Sequence, residues 1–288
     1  MNRLETIAAA ALAALAAGCA TQSARPAHDT LICHRGESFD APENTMPAYR
    51  MAVERGFGFE CDIYLSADKQ VFTFHDKTLT RTTGGASNKK CSEASWADEI
   101  SKLDVGGWGK WKGSAFSPTR PALLSELLEL ARDGRYIYVE VKPGPEIVPY
   151  IKDVFAAQAK ATPANTLFIS FNDKTCRALK EQMPEFKVYW LTGLGKGPVA
   201  GEAAKRIVAK LREIGADGVD CQFKPELVTA DFIRSIRDAG FEFHVWTLDR
   251  LDLAMAAFER GAQTVTTNCA KKLLDEYLEL EERKDSEP

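Results

Sequence analysis

Short apolar runs alternate with helical patterns along most of the chain, from residue 28 onward. Compact runs of aliphatic, β-branched and aromatic residues predict strands. Nine such segments occur, at 31–35, 58–65, 71–75, 136–142, 166–171, 187–192, 217–222, 242–247 and 263–268. Between them, apolar residues recur at helical spacing, and several of these stretches stop at a glycine, as helices commonly do. The helices bounded in this way are predicted at 45–55, 122–133, 229–240 and 250–261.

One connection is too short for this alternation. Only residues 67–70 lie between the second and third predicted strands, whereas a parallel crossover needs about a dozen residues or more. These two strands are therefore predicted to form an antiparallel hairpin. If Ala67 pairs with Gln70 across the turn, Asp62 lies opposite His75.

Without the hairpin, eight strand–helix units remain over about 260 residues, which is typical of a TIM (β/α)8 barrel. We predict one such α/β domain over residues 28–288, with the β-hairpin and a small insertion after the second strand. The insertion spans about 77–120, is rich in Gly, Ser and Trp, and is expected over the mouth of the barrel. An open doubly wound sheet is the main alternative, but no glycine-rich phosphate loop follows the first strand.

The first 27 residues predict an export signal and a linker. The apolar run from Ile7 to Ala17 is too short to cross a bilayer but suits the core of a secretory signal peptide. Its end, Leu15-Ala16-Ala17-Gly18-Cys19, resembles the lipobox of bacterial lipoproteins. This resemblance implies anchoring at the cell envelope through a lipidated Cys19. The alternative is plain export, with cleavage nearby and a periplasmic or secreted product.

Composition excludes several other classes. The 288 residues carry 41 acidic and 37 basic side chains, a net charge of −4, and no block of Lys or Arg, which argues against a nucleic-acid partner. The seven cysteines contain no C-x-x-C pair that would suggest zinc, and we predict no disulfide at Cys33, Cys61 or Cys221. The sequence does not indicate an oligomeric state.

Polar residues gather where the predicted strands end, which is where barrel enzymes carry their chemistry. His34 and Arg35 end the first strand, and alternation places Glu60 with Asp62 and Glu140 with Lys142 on inward faces. The residues of these strand ends are His34, Arg35, Glu60, Asp62, Glu140, Lys142, Phe171 and Trp246, to which the hairpin adds His75.

Three carboxylates in one cavity, from Glu60, Asp62 and Glu140, would repel each other strongly. A divalent cation that prefers oxygen ligands, either Mg²⁺ or Ca²⁺, is the natural compensation. His34 and His75 can exchange protons with a substrate near neutral pH, and Arg35 and Lys142 suit a phosphate. The combination predicts metal-assisted phosphodiester cleavage with a general acid and a general base. An internal salt-bridge network of the same charges is the structural alternative.

An ordered set of motifs resembles the glycerophosphodiester phosphodiesterase family. It comprises His34-Arg35-Gly36, Pro42-Glu43-Asn44-Thr45, Glu60-Cys61-Asp62, His75-Asp76 with 78–83, Glu140-Val141-Lys142, Ser170-Phe171 and Val245-Trp246-Thr247. The chain departs from the common pattern at Asn268, where aspartate is frequent, and in the hairpin turn, which lacks its usual glycine.

The resemblance implies hydrolysis of a glycerophosphodiester to sn-glycerol 3-phosphate and an alcohol. It implies His34 and His75 as the acid/base pair, and Glu60, Asp62 and Glu140 as ligands of one divalent cation. Arg35 and Lys142 would bind the phosphate, while Trp246 and Phe171 would flank the glycerol. The family's proposed mechanism begins with attack of a glycerol hydroxyl on phosphorus, and water then opens the resulting cyclic phosphate.

Three alternatives remain at this point. A phospholipase-like relative would act on intact lipids or stop at the cyclic phosphate, and the aromatic insertion with Trp96, Trp108 and Trp111 could bind a lipid surface. A surface binding lipoprotein would have kept the barrel and lost turnover. A zinc amidohydrolase would need a His-x-His motif on the first strand, which the chain lacks.

Overall fold

The structure is a computed structural model that describes residues 24–194 and 200–286. Over these residues, eight parallel strands close into a barrel, which confirms the predicted TIM fold. The parallel strands are β1 (Leu31–Cys33), β2 (Gly58–Leu65), β4 (Ile137–Val141), β5 (Thr166–Ser170), β6 (Val188–Thr192), β7 (Gly218–Gln222), β8 (Glu242–Trp246) and β9 (Val265–Thr267). The barrel closes because β1 pairs with both β2 and β9. Strand β3 (Val71–Thr73) pairs antiparallel with β2 outside the ring.

Helices surround the barrel in the described part of the chain. They are α1 (Met46–Glu54), α2 (Leu124–Leu128), α3 (Val148–Ala156), α4 (Asp173–Gln182), α5 (Ala200–Ile214), α6 (Ala230–Arg237), α7 (Leu251–Glu259) and α8 (Ala270–Ser286). Thr45 caps α1 and Thr229 caps α6, each through a side-chain oxygen that accepts a backbone N–H. None of the helices in this part of the chain combines the length and the apolar composition of a membrane span.

Strand alternation divides the buried residues into two layers. On β2 and β4, Cys61 and Val139 point outward and join the large apolar cluster between the barrel and the helices. Tyr138, Ile169 and Leu191 belong to a separate cluster inside the barrel. The inward positions nearer the carboxyl ends of the strands are polar, so the functional groups collect at one end of the barrel.

The predicted register of the hairpin is wrong by one residue. Leu65 pairs with Val71, and the N–H of Ser66 donates to the carbonyl of Gln70 at 2.9 Å, so the turn has three residues and not two. Lys69 adopts a left-handed conformation with φ of 64°, which this longer turn requires. Asp62 therefore lies opposite Phe74, whose N–H donates to the Asp62 carbonyl, and His75 enters the site from the loop that follows β3.

The helix predicted at 122–133 is also shorter than expected. It ends at Leu128, because Arg132 and Arg135 form an antiparallel bridge around Asp133-Gly134. Gly134 has φ of 73°, which a glycine adopts at little cost in a tight turn. The turn signal of Asp-Gly outweighs the helical spacing of the apolar residues before it.

The segment 77–120 is folded against the hairpin and has only short 3₁₀ helices, at Cys91–Glu93, Ile100–Lys102 and Gly109–Trp111. Its apolar residues pack with Phe72 and Phe74 in a cluster distinct from the main core. Asp68 in the hairpin turn joins the two parts by accepting hydrogen bonds from the backbone N–H groups of Trp96 and Ala97.

All six described cysteines are free and buried, among them Cys33, Cys61 and Cys221. The predicted signal peptide and Cys19 fall among residues 1–23, outside the described residues.

Candidate active site

The end of β1 turns sharply to place the first functional residues. Arg35 and Gly36 both have positive φ, 57° and 78°. A Cβ atom on Gly36 would lie 2.7 Å from the backbone carbon of Ala48, so only glycine fits this approach to α1. The turn aims the backbone N–H of Arg35 at the Oε2 atom of Glu60, to which it donates at 2.9 Å.

Three carboxylates from two neighbouring strands meet at the centre of this end. Asp62 on β2 and Glu140 on β4 are paired across the parallel ladder, and Glu60 precedes Asp62 on the same inward face. One carboxylate oxygen from each lies within 4.8 Å of the others, and all three residues are buried. The cluster was predicted from alternation alone, and the structure brings all three of its members together.

The charges of these carboxylates are incompletely compensated within the chain. Burial would raise the pKa of Asp62, but Lys142 and Arg35 lower it to about 2. Lys142 Nζ lies 3.2 Å from Asp62 Oδ1 and 2.8 Å from Glu140 Oε1. Burial, and then the neighbouring carboxylates, raises the pKa of Glu60 well above its usual range and that of Glu140 to about 7. The cluster therefore needs a further positive charge to be fully ionised.

The donor set fits a hard divalent cation. It consists of carboxylate oxygens, which Mg²⁺ and Ca²⁺ prefer, and Glu60 Oε1 is buried with no hydrogen-bond partner in the described chain. A bound cation would satisfy that oxygen and favour the ionised form of all three acids. Glu60, Asp62 and Glu140 are thus the residues that could hold a metal ion.

His34 is held as a neutral imidazole with one nitrogen available. Its Nδ1 atom lies 2.7 Å from Asn268 Oδ1, while the amide nitrogen of Asn268 donates to Asp249 at 2.6 Å. Because the Asn268 amide is oriented in this way, Nδ1 of His34 must donate, and Nε2 keeps its lone pair. Burial, aided by the charge of Arg35, lowers the pKa of His34 to about 4. The ring can therefore accept a proton at neutral pH.

His75 is oriented by a second acidic network. Its Nδ1 atom donates to Asp76 Oδ1 at 2.7 Å. Arg81 donates to both oxygens of Asp76 and to both oxygens of Glu43, and Glu43 also accepts from Arg35. The hydrogen bonds from Arg81, and then that from His75, lower the pKa of Asp76 to about 2. The insertion thus contributes Arg81 to the support of a histidine that lines the site.

Asn44 fixes the position of Asp62. Its amide nitrogen donates to Asp62 Oδ2 at 2.7 Å, and its amide oxygen accepts from the backbone N–H of Asp62 at 3.0 Å. The hydroxyl of Tyr49 donates to the same amide oxygen. Asn44 has φ of 56°, a left-handed conformation that asparagine tolerates better than most residues.

The predicted site residues surround one cavity of about 240 Å³. Eight of them line it directly: His34, Arg35, Glu60, His75, Glu140, Lys142, Phe171 and Trp246. The ninth, Asp62, is fully buried beside Glu60 and Glu140. The rings of Phe171 and Trp246 meet edge to face with centroids 5.6 Å apart. The structure thus brings all nine residues together, and their individual roles stay predictions.

Three further residues of the site were not in the predicted set, although Asn44 and Asn268 belong to the motifs and strand ends named from the sequence. Asn268 holds His34, Asn44 holds Asp62, and Asp220 on β7 projects a buried carboxyl into the cavity. Burial, and then the charge of Glu140, raises the pKa of Asp220 to about 8. Asp220 lies two residues before Gln222, the residue of β7 that pairs with Trp246 on β8, so alternation places Asp220 on the same inward face as Trp246. This alternation is the sequence signal that could have indicated Asp220.

A comparison with known protein families decides the identity of this site. The model of the glycerophosphoryl diester phosphodiesterase family matches residues 34–272, which include every residue of the site described above. The chain belongs to this family. It is accordingly a phosphoric diester hydrolase, and glycerophosphodiester phosphodiesterase activity is the activity that the comparisons support.

Individual relatives of the family are similar over most of their length. A glycerophosphodiester phosphodiesterase of Caldanaerobacter subterraneus subsp. tengcongensis is 28% identical over 249 residues, covering 85% of this chain and 96% of the relative. A phosphodiesterase of Oleispira antarctica, solved in complex with the product sn-glycerol 3-phosphate, superposes with a TM-score of 0.74 at 25% identity, covering 85% of this chain and 95% of that one. A structure from Silicibacter pomeroyi, at 20% identity and a TM-score of 0.75, shares the fold.

Proposed function

We propose that this enzyme hydrolyses glycerophosphodiesters to sn-glycerol 3-phosphate and an alcohol, using a divalent cation and the two histidines. The observation that carries the proposal is the meeting of three buried carboxylates and two independently oriented histidines around one cavity. The complex of the Oleispira antarctica relative with sn-glycerol 3-phosphate supports this choice of product.

The two histidines divide the proton transfers. Neutral His34 takes the proton of the glycerol hydroxyl next to the phosphate, because its Nε2 atom has a free lone pair. The hydroxyl oxygen then attacks phosphorus, the bond to the leaving alcohol breaks, and His75 gives that alcohol a proton. The carboxylate of Asp76 stabilises the positive charge that His75 carries while it holds a proton. Water opens the cyclic phosphate in a second step, with the two roles exchanged.

The charged residues bind and balance the phosphate. Arg35 and Lys142 both line the cavity and supply hydrogen-bond donors for its anionic oxygens. Glu60, Asp62 and Glu140 would hold the cation, which supplies Lewis-acid polarisation of the phosphoryl group when bound. The three-carboxylate set is compatible with either Mg²⁺ or Ca²⁺, and both belong in the assay.

Product analysis tests the proposal. Purified full-length protein is incubated with glycerophosphocholine and other headgroup diesters, after treatment with EDTA and after addition of Mg²⁺ or Ca²⁺. We expect release of sn-glycerol 3-phosphate only in the presence of a divalent cation. Release at an equal rate in EDTA would contradict the metal requirement, and no release from any diester would contradict the proposed reaction.

A phospholipase-like activity is the second candidate, because aromatic side chains stand at the mouth of the barrel. Phe39 and Phe171 are each about half exposed, and Lys110 in the insertion lies against Phe39 and Trp111. Such a rim could contact lipid. Phosphorus NMR of products from soluble diesters and from lysophospholipid micelles distinguishes the candidates, since lipid cleavage or an accumulating cyclic phosphate favours the second.

We further propose that the protein is exported and anchored at the cell envelope through lipidated Cys19. The geometry then favours soluble substrates. Ala24, the first described residue, borders a groove with Arg237 and Gln263, at the end of the barrel opposite the mouth. Four residues separate Cys19 from Ala24. The five Cα–Cα steps between the two can span at most about 17 Å. A short tether at that end holds the mouth away from the anchoring membrane.

Radiolabelled palmitate incorporation and membrane fractionation test the anchor. We expect label on the wild-type protein and none on Cys19→Ser, which should be recovered in the soluble fraction. Export of an unlabelled wild-type protein would support plain secretion instead.

A further inference from the structure

One buried acid of the cavity, Asp220, has no role in the proposed mechanism. Asp220 lies on β7, between Leu191 on β6 and His244 on β8, and is only 1% exposed. It lines the same cavity as His34 and Glu60 but is not a member of the three-carboxylate cluster. Its side chain therefore faces whatever occupies the cavity without serving the cluster itself.

One oxygen of the Asp220 carboxyl is not used by the fold. Its Oδ1 atom is buried and finds no hydrogen-bond partner within residues 24–194 and 200–286. A buried polar atom without a partner destabilises a protein, so such an atom in a cavity indicates a partner that arrives with a ligand. The adjacent Trp246 is held by the backbone and not by this side chain, because its indole N–H donates to the Asp220 carbonyl at 3.0 Å.

The cavity has two chemically different halves. The half formed by β1, β2, β4 and the loop after β3 carries the histidines, the acids of the cluster, Arg35 and Lys142. The half formed by β5 to β9 has apolar walls, including Ile169 and Leu191, and Asp220 is the single carboxyl that the described residues add there. A phosphodiester bound at the charged half would direct one of its esterified groups toward Asp220 and Trp246.

The chemistry of Asp220 favours a hydroxyl as its partner. Burial raises the pKa of the Asp220 carboxyl to about 8, which favours its neutral form, and a neutral carboxyl donates one hydrogen bond and accepts another. A cationic headgroup would require an ionised acid, and an alkyl chain would leave the carboxyl unpartnered. The glycerol part of the substrate carries a terminal hydroxyl that takes no part in the reaction.

We propose that Asp220 hydrogen-bonds the terminal hydroxyl of the glycerol moiety and so selects glycerol diesters over diesters of deoxygenated alcohols. The inference rests on the proposed function, because it assumes a glycerophosphodiester at the charged half of the cavity. Asp220 is then a specificity-determining residue that touches the substrate away from the reacting atoms.

A comparison of two substrates tests this assignment. Glycerophosphocholine is compared with propane-1,2-diol phosphocholine, which keeps the attacking hydroxyl and lacks the terminal one. We expect full-length wild-type enzyme to prefer the glycerol diester in kcat/KM by about tenfold or more. Asp220→Asn should keep most of this preference, because an amide also donates and accepts. Asp220→Leu should bring the ratio of the two kcat/KM values close to one, because it slows hydrolysis of the glycerol diester only.

Two controls separate recognition from structure. Leu191→Val alters the same wall without a polar group and should change both substrates equally. The melting temperature of Asp220→Leu should not fall below that of the wild type, because the substitution removes an unpartnered carboxyl. If the leucine variant does not fold, Asp220→Ala carries the same comparison.

The outcomes are distinguishable. A wild-type enzyme without preference, or a leucine or alanine variant with the full preference, overturns the inference about Asp220 and leaves the proposed function intact. A wild-type enzyme that hydrolyses neither diester contradicts the proposed function instead.

Discussion

At the scale of single residues, the histidines differ because their partners differ. His34 donates to a neutral amide, Asn268, and lies beside Arg35, so its environment favours the uncharged ring. His75 donates to a carboxylate, Asp76, which fixes the orientation of the ring. The two histidines therefore differ in the partner of Nδ1, and in the proposed mechanism His34 acts first as the base and His75 as the acid.

We predict that the Asn268 amide controls the orientation and the tautomer of the His34 ring. Asn268→Leu removes the acceptor of Nδ1 and frees the ring to rotate or to change tautomer. We expect kcat to fall by at least about tenfold. Ser38→Ala is the matched control, because Ser38 donates to the same amide oxygen at 3.1 Å without contacting His34. Steady-state kinetics with saturating metal measures both variants, and equal losses in the two would contradict the assigned role of Asn268.

The sequence predicted residues whose positions follow from strand parity, such as Glu60, Asp62 and Glu140. It named Asn44 as part of a motif but could not predict the contact of Asn44 with Asp62, because Asn44 lies in a loop and reaches Asp62 only after a left-handed turn. Asn268 was noted at a strand end, but its partner His34 is 234 residues away in the chain. Contacts of this kind depend on how the first and last strands of the barrel meet, and the pattern of residues along the sequence does not contain that information.

At the scale of elements, the hairpin shows the limit of pattern reasoning most clearly. Its existence followed from the short connection between two strands, but its register depended on one backbone conformation, that of Lys69. Alternation cannot distinguish a two-residue turn from a three-residue turn, since both leave apolar runs on either side. His75 still reaches the cavity because the chain leaves the ladder after Thr73 and the loop carries it there.

The turn itself yields a stability prediction. Lys69→Gly should raise the free energy of unfolding by about 0.5–1 kcal/mol, because a residue with a side chain is strained at φ of 64° and glycine is not. Gln70→Gly, at the neighbouring position without positive φ, should lower it. Urea denaturation of the two variants measures the difference. A loss of stability in Lys69→Gly would contradict the three-residue turn.

At the scale of the whole molecule, barrel closure concentrates charge at one end. Six charged or titratable residues at the ends of strands β1, β2 and β4 meet at a single cavity. They are Glu60, Asp62, Glu140, His34, Arg35 and Lys142. Without a cation, burial and mutual repulsion raise the pKa of Glu140 from about 4.5 to about 7. The folded protein then holds a proton that the unfolded chain has already released between these two pH values.

This proton uptake gives the stability of the metal-free protein a signed pH dependence. The contribution of Glu140 is fully present below its unfolded pKa and is lost as the pH rises through about 7. A cation binds the ionised carboxylates, so it should restore stability more at about pH 8 than at about pH 5. We expect saturating Mg²⁺ or Ca²⁺ to raise the melting temperature by about 5–10 °C at the higher pH.

Thermal unfolding in EDTA and in metal, across this pH range, provides the measurement. Glu140→Gln serves as the control, because its amide neither titrates nor attracts a cation strongly. That variant should show a flatter pH dependence and a smaller shift with metal. A wild-type shift that is absent, or equal at both ends of the range, would argue against a metal site at Glu60, Asp62 and Glu140.

Release of sn-glycerol 3-phosphate on metal addition to chelated protein tests the central claim most directly. The wild type and His28→Ala, which alters an exposed histidine outside the cavity, should begin turnover when the cation is added. His34→Ala and His75→Ala should stay at least about 100-fold slower, while their melting temperatures rise with metal as in the wild type. Turnover in EDTA, or wild-type rates in either of those two variants, would show that catalysis does not depend on this site.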